Sequence, residues 1–443
     1  MRQCKGVGLF VVVVSTVCNL SSCKKDEPIQ PHVPTIQLSF EDASCSEAWL
    51  KVSLSDANEP RTVAIQQDGQ RVLTGRMMVS DSIFVVEGLL PKHAYSFVAQ
   101  RLRDSATIDA SVPVQKTTMD TTTHSFTWDV ATLGDGNSSV LYDVAIINDS
   151  LAYAVGEIYL RDSTGQIDPQ AYNMAKWNGR EWQLMRIQFY TICGQSNRTP
   201  YSAKSIFAFS STDVWIGMDG SQVARWGGTN QTATICMPDP FVINKMWGGS
   251  LSSLWAVGYG GGIGHYTSGT WQHLESGTTL HLYDIFGGST GAGTTEVISV
   301  AGQLFASLDR RILSLSSGSV VSLPDSGVRG GLHGIWFIPG RKYYVVGDGM
   351  YSKHAVTSTA PWVVLHQGVT SYFTYGIDGS GFNDIVVCGS FGEMLHFNGV
   401  SWRSFREVTG ISLGAYYRVA IKENLCIAVG YESPRAIVAI GRR

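Results

Sequence analysis

An all-β fold ending in a seven-bladed β-propeller is what this chain predicts, and three observations carry it. A short apolar strand closing in x-Gly recurs as Tyr153-Ala-Val-Gly156, Val214-Trp-Ile-Gly217, Trp255-Ala-Val-Gly258, Tyr344-Val-Val-Gly347, Val386-Val-Cys-Gly389 and Ile427-Ala-Val-Gly430, with a degenerate copy at Val297 to Ala301. The strand before each copy carries an apolar marker: Val144, Ile206, Met246, Ile285, Ile335, Ile377 and Val419. The last six markers are spaced by 40, 39, 50, 42 and 42 residues. A period of about 40 to 50 residues with four strands per repeat is the signature of a propeller. Finally, the last repeat has room after Gly430 for only one further strand, Ala436 to Ile440, and a matching outer strand exists upstream at 125–130. Pairing the two would close the ring over 122–443 and remove its open edges.

The elements of one repeat are legible between Ser253 and Gly288. Leu254 to Gly258 is a buried strand, Gly260 to Gly262 a tight turn, and Ile263 to Tyr266 a second strand. Thr267-Ser-Gly269 turns into Trp271 to Leu274, and Leu282 to Phe286 opens the next repeat. The turn recurs as Asn178-Gly179 and Asn398-Gly399. Such dipeptides between apolar strands predict primed hairpin turns, which need residues tolerant of positive φ.

These copies resemble the bacterial YVTN/BNR-type propeller repeats, including those of the photosystem II assembly factor-like group. The resemblance rests on strand glycines, turns and tryptophans, so it implies the fold and says little of function. The sialidase-type Asp-box, Ser-x-Asp-x-Gly-x-Thr-Trp, is absent, which counts against glycosidase chemistry.

Upstream, 36–118 has strands of its own and no propeller marker: Leu38 to Phe40, Ala48 to Val52, Thr62 to Ile65, Arg71 to Leu73, Ser82 to Val86 and Tyr95 to Gln100. Leu89-Leu-Pro-Lys-His-Ala-Tyr95 resembles the tyrosine corner of fibronectin type III domains. That resemblance implies an Ig-like β-sandwich, with Trp49 as its core tryptophan and Thr117 to Thr123 as a linker. Its expected role is a stiff spacer.

Met1 to Cys23 reads as a targeting segment: Arg2 and Lys5 precede an apolar run, Val7 to Val17, too short to span a bilayer comfortably. Leu20-Ser-Ser-Cys23 resembles the lipobox of bacterial lipoproteins. It implies a signal peptide over 1–22, lipidation of Cys23, a tether over 23–35 and an outer-membrane lipoprotein. Lys24-Lys-Asp-Glu27 resembles the export signal of surface-exposed lipoproteins, or is a solvated tether.

The charged fraction of 16% and the 48 glycines suit short buried strands and exclude extensive disorder. A formal net charge of −3 gives no electrostatic case for nucleic acid. The cysteines form no close-spaced framework or metal set. Cys388 and Cys426 read as small buried hydrophobes. Cys193 and Cys236 each end a Thr-Ile-Cys string, which leaves both a disulfide and free thiols open.

The candidate site lies on two long loops, 157–173 and 188–204. Both fall on the face where the loops joining second to third strands, and outer strands to the next blade, gather. Tyr159, Arg161, Asp162, Tyr190, Arg198 and Tyr201 are of the types that anchor interfaces or stack on sugars. Asp162 and Asp168 lack an EF-hand pattern. His265, His333, His354, His366 and His396 are spread over different repeats, and the equivalence of His265 and His396 favours packing over metal ligation. Trp247, Phe286 and Trp336 read first as packing between blades, second as a channel lining. No catalytic motif is present, and no metal or cofactor is expected. The reading is a lipid-anchored cell-envelope binding or scaffold protein with a protein or glycan partner. The alternatives are a carbohydrate-active enzyme, glycosidase or lyase, and an envelope assembly factor.

Overall fold

The computed structural model describes residues 35–55, 61–135, 138–291, 293–303, 308–365 and 369–443. Cys23, the lipobox, the tether as far as Pro34 and His366 lie outside them.

Seven four-stranded antiparallel sheets succeed one another along the described chain. Their innermost strands are Val140–Asn148, Ala203–Ser210, Ile243–Ser250, His281–Ser289, Leu332–Ile338, Thr374–Gly381 and Gly414–Lys422. Each packs on the next, and the last packs on the first, so the sheets are blades 1 to 7 of a closed propeller. In blade 7 the outer strand is Thr127–Leu133, paired antiparallel with Arg435–Arg442. Phe126 and Trp128 of this segment pack on Phe405, at 5.9 and 5.5 Å between rings.

The recurring glycine has one physical cause in blades 1, 3, 5, 6 and 7; Met218 and Ala301 hold the same place in blades 2 and 4. In every blade the inner strand slips by one residue against its neighbour near the same point, a β-bulge that pushes the strand toward the second strand. A Cβ on Gly156, Gly258, Gly347 or Gly430 would lie 2.0, 1.8, 2.1 or 1.9 Å from the carbonyl oxygen of Val140, Val242, Gly331 or Ala415. No side chain fits there. The markers Ile206, Met246, Ile285 and Ile335 are buried between blades, the last at 1% exposure. Trp247 lies across Gly287 and Trp336 across Gly379, where an added Cβ would meet the indoles at 2.6 and 2.7 Å. Trp336 is therefore packing between blades, whereas Trp247 and Phe286 also border the channel.

Two turns correct the sequence expectation. Ser268-Gly269 is a two-residue hairpin with both φ positive, at 52° and 85°. Asn178 and Asn398 instead open four-residue loops, with Trp177 opposite Trp182 and Phe397 opposite Trp402. Their side-chain oxygens accept the amides of Arg180 and Glu181, and of Val400 and Ser401, at 2.8–3.1 Å. Asparagine here caps its own turn, and only the following glycine takes positive φ.

The upstream residues form two sheets around one core. Ile36–Ala43, Glu47–Leu54 and Asp81–Glu87 make one; Gln70–Arg76, Thr62–Gln67, Ala94–Arg103, Ala106–Ala110 and Val114–Thr117 make the other. The last two strands were not legible, because Ala-Thr-Ile-Asp-Ala and Val-Gln-Lys-Thr are polar, exposed edge pairings without alternation. The Tyr95 hydroxyl accepts the amide of Leu90 at 2.8 Å, tying down the turn before it. Trp49 corrects the expectation of a core tryptophan. Ala48, Leu50 and Val52 face the shared core, and the two-residue period of a strand turns Trp49 to the other side. There it is 1% exposed and stacks on Phe382 of blade 6 at 4.9 Å.

This contact belongs to a dock. Lys342 and His354 of blade 5 both meet Glu47, His354 at 3.0 Å, and Arg341 reaches Glu41 at 3.3 Å. Asn383 donates to the Asp120 carbonyl at 2.7 Å. Arg341, Lys342 and Asn383 sit at the turns between first and second strands. The upstream unit thus covers the propeller face opposite to the bulges. The segment after Thr117 is pinned too, with Thr118 buried and the amide of Met119 on Ser44.

Candidate functional site

Each bulge skips one inner-strand residue in the register of the ladder. In chain order these are Tyr142, Lys204, Asn244, Tyr283, His333, Tyr375 and Tyr417, always two places before the marker. Seven bulges at one level of seven inner strands aim seven side chains at the axis. Together with Tyr259, Tyr431 and Arg418 they line a cavity of about 370 Å³ at the mouth of the channel. The size falls in the range of small-ligand sites.

Below the ring lies a charged waist, one residue further along four of the seven strands, at Asp143, Lys245, Asp284 and Arg418. Asp143 meets Lys245 at 2.6 Å, and Asp284 lies 3.9 Å from Arg418. The inner strands are sheet edges, so their channel-side amides need acceptors from elsewhere. Carboxylates of preceding blades supply them: Asp143 accepts from Ile206, Asp284 from Ile335 and Asp378 from Ile421, at 2.9, 3.0 and 2.9 Å. Arg418 donates to the carbonyls of Tyr283 and, at 3.2 Å, Tyr375, spanning three blades. Under this waist a second cavity of about 240 Å³ is bordered by Trp247, Phe286 and Asp378. The two cavities lie on either side of this waist.

The ionisation states at the mouth follow from burial. His333 is buried beside Arg418 and donates from Nδ1 to the Tyr375 carbonyl at 2.7 Å; desolvation and the guanidinium hold it down at about 3, so it is neutral. Burial, then the charge of Glu157, pushes the Tyr142 hydroxyl above its ordinary range, and burial does the same for Tyr417. Burial raises the Glu157 carboxyl as well, against hydrogen bonds from Tyr159 and Tyr142. Lys204 lies 3.4 Å from Asp219 and over the rings of Tyr142 and Tyr259 at 4.9 and 5.5 Å. This surface holds neutral hydroxyls and aromatic faces, with each charge already matched.

The six residues singled out on the loops do not form one cluster. Tyr159 donates to Glu157 at 3.4 Å and through it joins the mouth. Arg161 and Asp162 shape their own loop: Arg161 donates to the Gly165 carbonyl at 2.7 Å, and Asp162 accepts from Thr164 and Gln166. Asp168 pairs with Arg186 at 2.5 Å. Arg198 lies over the Tyr190 ring at 4.4 Å on a separate hairpin, Phe189–Tyr190 with Arg198–Thr199, which a Cys193–Cys236 disulfide ties to blade 2. The Tyr201 carbonyl accepts from Asn173 at 2.7 Å. The mouth residues escaped the sequence reading, although a signal existed: Tyr142, Tyr283, Tyr375 and Tyr417 share one repeat position. That position looked like strand, and only the bulge turns it inward.

The other histidines pack. His265 stacks on Trp255 at 3.8 Å and meets Ser253, and His396 donates to Asp384 at 3.0 Å. These are the same cross-strand pair in two blades, and Asp213 with Arg225 is a third. Cys388 and Cys426 are buried thiols whose ionisation burial opposes, Cys388 being pushed up to about 12. Among the described residues Glu47, Glu87 and His354 are close enough to share an ion, but Lys342 already occupies Glu47.

No known family's sequence profile matches this chain, and no curated protein sequence is detectably related. Solved structures do match. YCF48 bound to a D1 peptide is 14% identical with a TM-score of 0.52, over 71% of this chain and 97% of that one. A catalytically inactive virginiamycin B lyase from Staphylococcus aureus, with quinupristin, is 10% identical at 0.52, over 71% and 99%. The WD40 propeller domain of Doa1 is 14% identical at 0.50, over 72% and 98%. The propeller fold is thereby shown; at these identities nothing further is.

Proposed function

We propose that this chain is a lipid-anchored cell-envelope recognition protein whose propeller binds a protein or glycan partner at the channel mouth. The observation that carries the reading is the bulge in every blade, which concentrates tyrosine, lysine, asparagine and histidine side chains on one pocket. Aromatic faces with polar edges are the usual anchors of recognition surfaces. The dock of the upstream unit supports the rest. That unit, read as a fibronectin type III-like sandwich, holds the face opposite the mouth. A tether over 23–35 lipidated at Cys23 in the outer membrane would then display the mouth away from the bilayer. The Cys193–Cys236 disulfide suits an oxidising envelope compartment. Scaffolding or assembly follows if the partner is a protein; the similarity to YCF48, whose structure holds a D1 peptide, makes a peptide ligand worth testing.

One observation favours the enzyme alternative: Glu157, its carboxyl raised by burial, shares the rim with Asp219. Both acids are engaged, Glu157 by tyrosine hydroxyls and Asp219 by Lys204. Capture from envelope extracts and from a glycan array, with Tyr417→Ala as control, tests the reading. Binding that needs Tyr417 is expected. Turnover of a captured sugar would move the function to catalysis. Binding indifferent to Tyr417 but lost on shortening 157–173 and 188–204 would move the site to those loops.

A further inference from the structure

The wall of the mouth is aromatic nearly all the way round. Tyr259 stacks on His281 at 4.2 Å, Tyr283 on His333 at 4.4 Å, and Tyr375 meets Tyr417 edge-on at 5.2 Å. Tyr417 lies parallel to Tyr142 at 6.1 Å, and Lys204 closes the remaining gap by lying over Tyr142 and Tyr259. No leucine, isoleucine, valine, methionine or phenylalanine lines this cavity.

That composition discriminates between ligand classes. A peptide held by apolar side chains needs an apolar pocket, one held by its backbone needs a free strand edge running alongside it, and a proline-rich one needs an extended aromatic groove rather than a closed ring. Here the strands end at the mouth, and their first residues fold over it through the bulges. The cations are matched: Lys204 faces Asp219 at 3.4 Å, and Arg418 donates to the Tyr283 and Tyr375 carbonyls. An acidic ligand would have to displace those partners. An uncharged sugar displaces none, since its apolar ring face stacks on a phenol and its hydroxyls bond to phenol and amide edges. The waist formed by Asp143 with Lys245 and Asp284 with Arg418 stands between the mouth and the lower cavity. A chain therefore enters by its end.

We propose that the mouth binds the terminus of an uncharged oligosaccharide end-on, with Tyr283 and Tyr417 as stacking platforms and Asn244, whose Nδ2 donates to the Leu282 carbonyl at 2.9 Å, accepting a sugar hydroxyl at its Oδ1. This deepens the reading of the mouth as the recognition site and rests on it.

The test uses the full-length protein in a zwitterionic detergent, because maltoside headgroups would compete. The probes are neutral oligosaccharides and their uronic- or sialic-acid counterparts on one array, followed by calorimetry of hits. Tyr283→Ala and Tyr417→Ala should each weaken neutral binding at least tenfold when compared at equal folded protein, since both rings are packed and their loss lowers the melting temperature. Tyr283→Phe, which keeps the ring, should weaken it less than Tyr283→Ala. Binding of acidic sugars alone, or neutral binding untouched by these variants, overturns the proposal. An envelope protein captured through Tyr283 and Tyr417 without any sugar hit overturns it as well, while keeping the mouth as the recognition site. With neither sugar nor protein bound, both readings fall.

Discussion

Gly430 has no room for a methyl group, since its Cβ would sit 1.9 Å from the Ala415 carbonyl, while a Cβ on Gly318 would meet nothing within 4 Å. Gly430→Ala should destabilise the protein by about 1–3 kcal/mol or more, and Gly318→Ala by no more than about 0.5 kcal/mol; thermal unfolding of the two reads the difference. Asp378 is a second residue with a sharp expectation. Burial pushes its carboxyl up to about 7, against the amides of Ile421 and Gly379. Because the folded value lies above the unfolded one, ionisation opposes folding, and stability should fall as pH rises from about 4 to about 7. A sealed site would give about 4 kcal/mol for such a shift; Asp378 is half-buried and borders the lower cavity, which lowers the expectation to ~1–2 kcal/mol. Urea midpoints at pH 5 and 8 should differ in the wild type and converge in Asp378→Asn.

The closing seam is an element-scale device. Arg443 grips Asp384 with two hydrogen bonds at 2.7 and 2.6 Å, beside His396, and His124 meets His396 at 2.8 Å. Burial opposes ionisation of Asp384, but the bonds from His396, Arg443 and Ser380 outweigh it and hold the carboxyl at about 2. Arg443→Ala strands a buried charge and should cost about 3–5 kcal/mol. Adding Asp384→Asn should recover part of that loss in chemical denaturation. The base of the hairpin over 189–199 is held by buried Phe189 and by Gln222 bonded to both backbone groups of Tyr190, while its exposed tip is tied at Cys193. Replacing Cys193 and Cys236 by serine should open the tip to limited proteolysis while the blades stay resistant. The repeated glycines, markers and Thr267-Ser-Gly269 were readable because each is a local backbone requirement. The asparagine turns were misread because Asn-Gly serves both a primed turn and a self-capped loop, and the number of residues between paired strands decides which. Trp49 was misassigned because alternation says that faces differ, not which face meets which neighbour.

At the scale of the whole molecule, the upstream unit and the mouth occupy opposite faces. Lys342→Glu, placed against Glu47, should release the dock and raise the radius of gyration in small-angle scattering. Ligand capture at the mouth should be unaffected; a loss of capture would mean that the two faces are coupled. The sequence by itself determined the all-β class, the repeat length, the strand glycines and the markers, because each reflects a constraint within one sheet or between adjacent blades. Tertiary structure alone decided the site. Tyr142, Tyr283, Tyr375 and Tyr417 lie some 40 to 140 residues apart in the chain or farther, and nothing local distinguishes a strand tyrosine facing a neighbouring blade from one facing the axis. The register slip in each inner strand makes that choice, and only closure of the ring brings the chosen side chains together.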